Sequence, residues 1–100
     1  MAKRKIVWSS KSKNDLLKIL EYFYQRNGSK TYSKKLKARI IRSVRLLSTQ
    51  PNLGLITDID NIRILIEGDY AIFYQPDNDK IEIISIWDCR QDPDNLTINK

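Results

Sequence analysis

Residues 61–90 read NIRILIEGDYAIFYQPDNDKIEIISIWDCR, and this stretch decides the fold of the chain. It contains three runs rich in Ile, Tyr, Phe and Trp, separated by the turn signals Gly68-Asp69 and Pro76-Asp77-Asn78-Asp79. Gaps this short leave no room for a helix, so consecutive runs must pair as antiparallel strands. The first run, residues 62–67, places isoleucine at every second position, which is typical of a half-buried strand. The stretch therefore predicts an antiparallel meander with an apolar face that an earlier part of the chain must cover.

Two amphipathic segments before the meander predict the helices that cover it. Residues 5–9 form a short strand candidate, Ser9, Ser10 and Ser12 are possible N-caps of a first helix, and apolar residues then recur at helical spacing to Tyr24 or Gln25. Gly28 suits the left-handed position that ends this helix, and Ser29 is a candidate N-cap for a second helix reaching about Ser48, before Pro51. The sequence thus predicts a single α+β domain over all 100 residues, with an N-terminal strand and an αα-hairpin packed on an antiparallel sheet.

Three further expectations concern particular segments. Leu17, Tyr22 and Tyr24 widen the apolar stripe of the first helix, which predicts that this helix is largely buried. Residues 52–61 contain glycine and aspartate and are expected to form a loop. The polar tail is expected to form one helical turn at most, after Pro93.

Composition limits the class of protein. The chain is 41% hydrophobic and 30% charged, as in folded soluble proteins. Its single cysteine, Cys89, excludes an intramolecular disulfide and fits a reducing compartment. No segment approaches the roughly 18 apolar residues of a membrane span. We therefore expect a cytoplasmic protein without a membrane partner.

The net charge of +6 is unevenly distributed. Residues 22–57 carry eight basic and no acidic side chains, whereas residues 58–100 carry four basic and ten acidic ones. Such asymmetry indicates a surface that meets a polyanion, either nucleic acid or an acidic protein segment. The alternative is a solvated helix face that only maintains solubility. The eight basic residues are Arg26, Lys30, Lys34, Lys35, Lys37, Arg39, Arg42 and Arg45.

Few residues could carry chemistry. The chain has no histidine, which removes histidine-based catalysis and most transition-metal sites, and its three glycines form no phosphate-binding motif. Cys89 is expected to be a buried thiol at a strand end, although the neighbouring Arg90 could activate it. The pairs Asp58/Asp60 and Asp77/Asp79 fit turns better than a cation site. We expect no cofactor, no metal and no small-molecule substrate.

Several motifs of the chain carry a family resemblance. Ile62-Arg63 is followed by Gly-x-Tyr-x-Ile-x-Tyr from Gly68 to Tyr74, and then by an Ile-rich strand that closes on Arg90 and Asp92-Pro93. In this order the motifs resemble the RelE/ParE superfamily, toxins of bacterial type II toxin–antitoxin pairs that include plasmid stabilisation proteins. The resemblance continues backwards through Trp8-Ser9, Asp15-Leu16, Ile19, Tyr22 and Pro51-x-x-Gly54.

The resemblance implies two branches with different activities. The RelE branch cleaves messenger RNA on the ribosome; in that case Arg63 and Arg90 would be the catalytic residues, with Arg90 at the phosphate. However, Ala71 stands where an arginine is usual, and the tail has neither Tyr nor His. The ParE branch inhibits DNA gyrase by binding and needs no nucleophile, and the ending from Arg90 to Pro93 is more similar to it.

We therefore expect a ParE-like toxin that inhibits growth by binding an essential target, DNA gyrase, and that a cognate antitoxin neutralises. The alternatives are a RelE-like ribosome-dependent mRNA endoribonuclease and an inactive nucleic-acid-binding relative. By resemblance, an apolar antitoxin helix would fill a groove while acidic side chains meet the basic face.

The predicted site joins the basic helix to the meander. A two-residue hairpin loop would pair Arg63 with Tyr74 and Glu67 with Tyr70, placing Arg63 and both tyrosines on one face, whereas a longer loop would undo this parity. The expected target- or antitoxin-binding residues are Lys34, Lys37, Arg42, Arg45, Arg63, Tyr70, Tyr74 and Arg90.

Overall fold

The computed structural model describes residues 3–28 and 30–90. The expected cap at Ser29 and the expected turn after Pro93 lie outside these residues. The described elements are β1 (Lys5–Trp8), α1 (Ser10–Asn27), α2 (Thr31–Leu46), β2 (Leu55–Ile56), β3 (Arg63–Glu67), β4 (Tyr70–Pro76) and β5 (Lys80–Asp88).

The strands form one five-stranded sheet in the order β1-β5-β4-β3-β2. Strands β3, β4 and β5 are antiparallel neighbours, which confirms the predicted meander. Strand β1 lies parallel to β5 at one edge, a pairing made possible by the helices that separate the two strands in the sequence. Both helices pack on this sheet, which confirms the α+β class.

The expectation that residues 52–61 form only a loop is wrong. Strand β2 lies within them and pairs antiparallel with β3, with Leu55 opposite Ile64 and Ile56 opposite Arg63. A strand of two residues is too short to show a period-2 pattern in the sequence, so periodicity could not identify it.

Local interactions explain where α1 begins and ends. The N-cap is Ser9, one of the three candidate serines, and its side chain accepts a hydrogen bond from the Ser12 backbone N–H. Gly28 has φ 68 and donates its N–H to the Tyr24 carbonyl, as predicted for a left-handed C-terminal residue.

The main core lies between the two helices and the sheet. Helix α2 contributes a fully buried stripe of Leu36, Ile40 and Val44, which packs against the inner face of β4 and β5. The Asp15 carboxylate accepts a hydrogen bond from the Ile86 N–H at 3.0 Å and fixes α1 on β5. In the described part of the chain, neither helix is both long and apolar enough to cross a membrane.

The expectation that α1 is largely buried is wrong. Only Ser12, Leu16 and Phe23 of this helix are buried, while Leu17 is 63% exposed and both Tyr22 and Tyr24 are exposed. Periodicity predicts which residues share a helix face, but not how much of that face the sheet covers.

Candidate functional site

The β3–β4 turn sets the positions of the expected site residues on the sheet. The turn has two residues, with Gly68 at φ 59, so Arg63 lies opposite Tyr74 and Glu67 opposite Tyr70. Arg63 and both tyrosines therefore share one sheet face. That face is the one the helices cover, and Tyr70 and Tyr74 are buried in the core. The sequence predicted that Tyr70 and Tyr74 contact a partner, but their rings are buried and not exposed to one.

Tyr74 and Arg63 hold the segment that follows α2. The Tyr74 hydroxyl donates to the Pro51 carbonyl and accepts from the Gly54 N–H, both at 2.8 Å. The Arg63 Nη1 donates to the carbonyls of Gly54 at 2.8 Å and Asn52 at 3.3 Å. Burial raises the pKa of Tyr74, so its hydroxyl stays protonated and keeps donating at neutral pH. Arg63 therefore has a structural role at the base of β2.

Only glycine fits at position 54, because the surrounding atoms leave no space for a Cβ atom. A Cβ atom there would lie 2.7 Å from the Ile64 backbone oxygen and 2.7 Å from a ring carbon of Tyr74. Neither neighbour can move easily, because the first is the backbone of β3 and the second is a fully buried ring.

Arg90 is held by a different set of partners at the other end of β4. Its Nε and Nη2 donate to the two oxygens of Asp88 at 3.0 and 2.8 Å, and Nη2 lies 3.3 Å from the Tyr70 hydroxyl. The guanidinium also lies 5.6 Å from the ring centre of Phe23 and 5.8 Å from that of Tyr70. The hydrogen bonds from Arg90 lower the pKa of Asp88, while burial raises the pKa of Tyr70 to about 12. Arg90 thus connects the end of β5 to α1.

The structure does not bring Arg63 and Arg90 together. Arg63 lies opposite Tyr74, whereas Arg90 contacts Tyr70. Tyr70 and Tyr74 are four residues apart in β4, which is about 13 Å at the rise of a strand. Each guanidinium is hydrogen-bonded to its own partners. The two arginines are therefore held at separate places along β4, Arg63 beside Tyr74 and Arg90 beside Tyr70.

The basic residues of α2 do form one surface. Lys34, Lys37, Arg42 and Arg45 are exposed and border a shallow depression of about 400 Å³. Arg39 is turned towards the sheet, where it pairs with Glu67 at 3.2 Å. Ser43 also donates a hydrogen bond to Glu67, so this carboxylate fixes α2 on β3.

A groove between α1 and α2 continues this basic surface. It has a volume of about 610 Å³, and Lys34 and Lys37 border it as well. Leu17, Leu20 and Tyr24 supply its apolar lining, although the width of the apolar stripe predicted that Leu17 and Tyr24 are buried. The sequence signal for these residues was an apolar stripe on α1 wider than one helix needs for packing.

Cys89 differs from its expected state because it is exposed. Strand β5 ends at Asp88, so the thiol lies in the turn beyond the core. Partial burial and the nearby carboxylates of Asp88 and Asp69 raise its pKa, which keeps the thiol protonated and poorly nucleophilic at neutral pH.

Comparisons with known proteins agree with this fold. Residues 6–93 match the family model described as the ParE toxin of the type II toxin–antitoxin system parDE. The chain belongs to the ParE toxin family. A solved structure described as the chromosomal ParDE TA system from P. aeruginosa is similar, with a TM-score of 0.73 and 19% sequence identity over 84% of this chain and 94% of that chain. At this identity the likeness shows that the ParE fold is shared. No curated protein matches the sequence.

Proposed function

We propose that this ParE family member inhibits an essential target by binding it, that the target is DNA gyrase, and that a cognate antitoxin neutralises the toxin. The observation that carries the proposal is the family match over residues 6–93. The geometry supports binding because α2 presents a basic face, while Arg63 and Arg90 are hydrogen-bonded to partners within the chain.

The same arginines argue against RNA cleavage as the activity. Attack by a ribose 2′-hydroxyl needs a base, an acid for the leaving oxygen and positive charge at the phosphate. Arg63 hydrogen-bonds backbone carbonyls and Arg90 hydrogen-bonds Asp88. Arginine is also a poor proton donor or acceptor, and the sequence has no histidine to replace it.

The basic face is the proposed contact for the antitoxin. Lys34, Lys37, Arg42 and Arg45 line one side of α2, and none of them takes part in the salt bridges of the described residues, although Glu21 borders the adjacent groove. An acidic segment would be attracted to this face, and apolar side chains of that segment would fit the adjacent groove.

The purified chain should be titrated into a gyrase supercoiling assay. We expect supercoiling to fall at micromolar toxin and to recover when the antitoxin is added. Full supercoiling at these concentrations would remove gyrase as the target. Primer extension on transcripts from arrested cells serves as the control, since cut messages would support a ribonuclease.

A further inference from the structure

Strand β2 exposes its side chains to an unusual degree. Ile56 is 79% exposed and Leu55 is 65% exposed, the two highest values among the large apolar side chains of the described residues. Successive residues of a strand point to opposite faces, so apolar surface is open on both sides of the same edge. These two side chains contribute little to the core, and burial does not explain why they are apolar.

The chain nevertheless holds this strand firmly. The base of β2 is fixed by the hydroxyl of fully buried Tyr74 and by the Arg63 guanidinium, as described above. On its other side, the Thr57 hydroxyl donates to the Ile62 carbonyl at 2.8 Å and accepts from the Ile59 N–H at 3.1 Å. A segment that buries so little of itself is thus held in one conformation from both ends, which would lower the entropic cost of binding a partner.

The two edges of the sheet differ in their protection. Strand β1, at one edge, carries Lys5 and continues directly into α1. Strand β2, at the other edge, has no charged residue, and it pairs only with the first two residues of β3. Among the described residues no strand pairs with Leu65–Glu67 on that side, so their backbone groups extend the open edge. Charged side chains are one of the features that protect sheet edges against pairing, and β2 carries none.

The charge around β2 identifies the kind of partner. Residues 52–62 contain Asp58 and Asp60 but no lysine or arginine, and the nearby Arg63 is engaged with backbone carbonyls. A nucleic acid or an acidic segment would be repelled here, in contrast to the basic face of α2. Only an extended polypeptide can pair with the open backbone and cover both exposed side chains at once.

We propose that the edge formed by β2 and the free part of β3 binds an extended, apolar segment of a partner protein, which adds a sixth strand to the sheet. The segment carries apolar residues opposite Leu55 and Ile56, and basic or neutral residues near Asp58 and Asp60. This edge is separate from the basic surface of α2, and the proposal does not depend on gyrase being the target.

The test uses the full chain and a displayed library of random 12-residue peptides (a length of roughly 40 Å when extended). Peptides are selected on the wild-type chain, and their affinities are then measured for Leu55→Lys/Ile56→Lys and for Leu46→Lys. Leu46 is the control because it is also an exposed leucine (46%) but lies at the end of α2, not on β2, and outside the groove between the helices. We expect selected peptides without acidic residues to bind the β2 variant at least about tenfold more weakly and to bind the Leu46 variant as they bind the wild type.

A structural measurement accompanies the affinities. NMR contacts between backbone amides of a selected peptide and those of β2 or β3 are expected, and the melting temperature should show that both variants fold. The proposal is overturned if selection yields no binder, if peptides bind the β2 variant as tightly as the wild type, or if the contacts lie elsewhere. It is also overturned if the β2 substitutions dissociate a wild-type dimer or abolish binding to a DNA duplex, because a second copy or a nucleic acid would then be the occupant.

Discussion

The helical hairpin and the β2 edge both expose apolar side chains, but their surroundings are opposite. Leu17 and Tyr24 lie in a groove bordered by lysines, whereas Leu55 and Ile56 lie on an open sheet edge with aspartates nearby. The first surface is suited to a partner attracted by charge, and the second to a partner held by strand pairing. Exposed apolar residues alone therefore do not indicate which partner binds; the charges and the backbone groups around them do.

The largest expected effect is the difference in the free energy of unfolding between substituting a buried and an exposed isoleucine. Ile40 is fully buried in α2, and Ile56 is 79% exposed. Ile40→Ala should lower the free energy of unfolding by about 2–5 kcal/mol because it leaves a cavity. Ile56→Ala should change it by no more than about 0.5 kcal/mol. Urea denaturation measures both, and a comparable loss in the two variants would show that β2 belongs to the core.

Next in size is the contribution of the hydroxyl that holds β2. Tyr74→Phe leaves the Gly54 N–H and the Pro51 carbonyl without their partner, so the free energy of unfolding should fall by about 1–3 kcal/mol. The control is Tyr22→Phe, since the exposed Tyr22 hydroxyl only accepts from Arg26 and its loss should cost less than about 0.5 kcal/mol. Equal denaturation midpoints for the two variants would contradict a firmly held β2.

Alkaline pH should lower the free energy of unfolding, because tyrosine hydroxyls are buried on the sheet face beneath the helices. Burial raises the pKa of Tyr70 from 10.0 to about 12, and it raises that of Tyr74 as well. The folded state therefore retains protons that the unfolded chain releases, so stability is complete below pH 10 and falls as the pH rises towards 12. Denaturation curves across this range should show the loss, and Tyr70→Phe should reduce it. A flat stability profile would contradict the burial of these hydroxyls.

The smallest expected effect on stability concerns the basic face. Lys34→Glu/Lys37→Glu should change the free energy of unfolding by no more than about 0.5 kcal/mol, because both side chains are exposed. The same change should slow association with an acidic antitoxin and reduce its dependence on salt. Lys3→Glu/Lys13→Glu, at exposed positions before β1 and in the first turn of α1, is the matched control. Association that slows equally in both variants would mean that net charge, and not this face, governs binding.

The sequence predicts the meander well because its turn residues act locally. Gly68 takes a positive φ and the two-residue turn then fixes which residues of β3 and β4 lie opposite each other. The same local reasoning locates the end of α1 at Gly28, whose backbone also has a positive φ.

The roles of single side chains could not be predicted in this way. Arg63 is half-buried because its partners are carbonyls of Asn52 and Gly54, which only the folded chain brings near it. The exposure of Leu17 likewise depends on the width of the sheet below α1, and no local pattern encodes that width. Tertiary contacts, rather than local sequence preferences, determine the partners of Arg63 and the exposure of Leu17.

We propose that this ParE family member acts by binding its target and not by catalytic turnover. A titration of gyrase supercoiling at fixed enzyme, followed over time, tests it most directly. We predict that inhibition tracks the molar ratio of toxin to gyrase, reaches its final level at each ratio and then stays constant. Inhibition that keeps growing with time at trace amounts of toxin would reveal catalysis and contradict inhibition by binding alone.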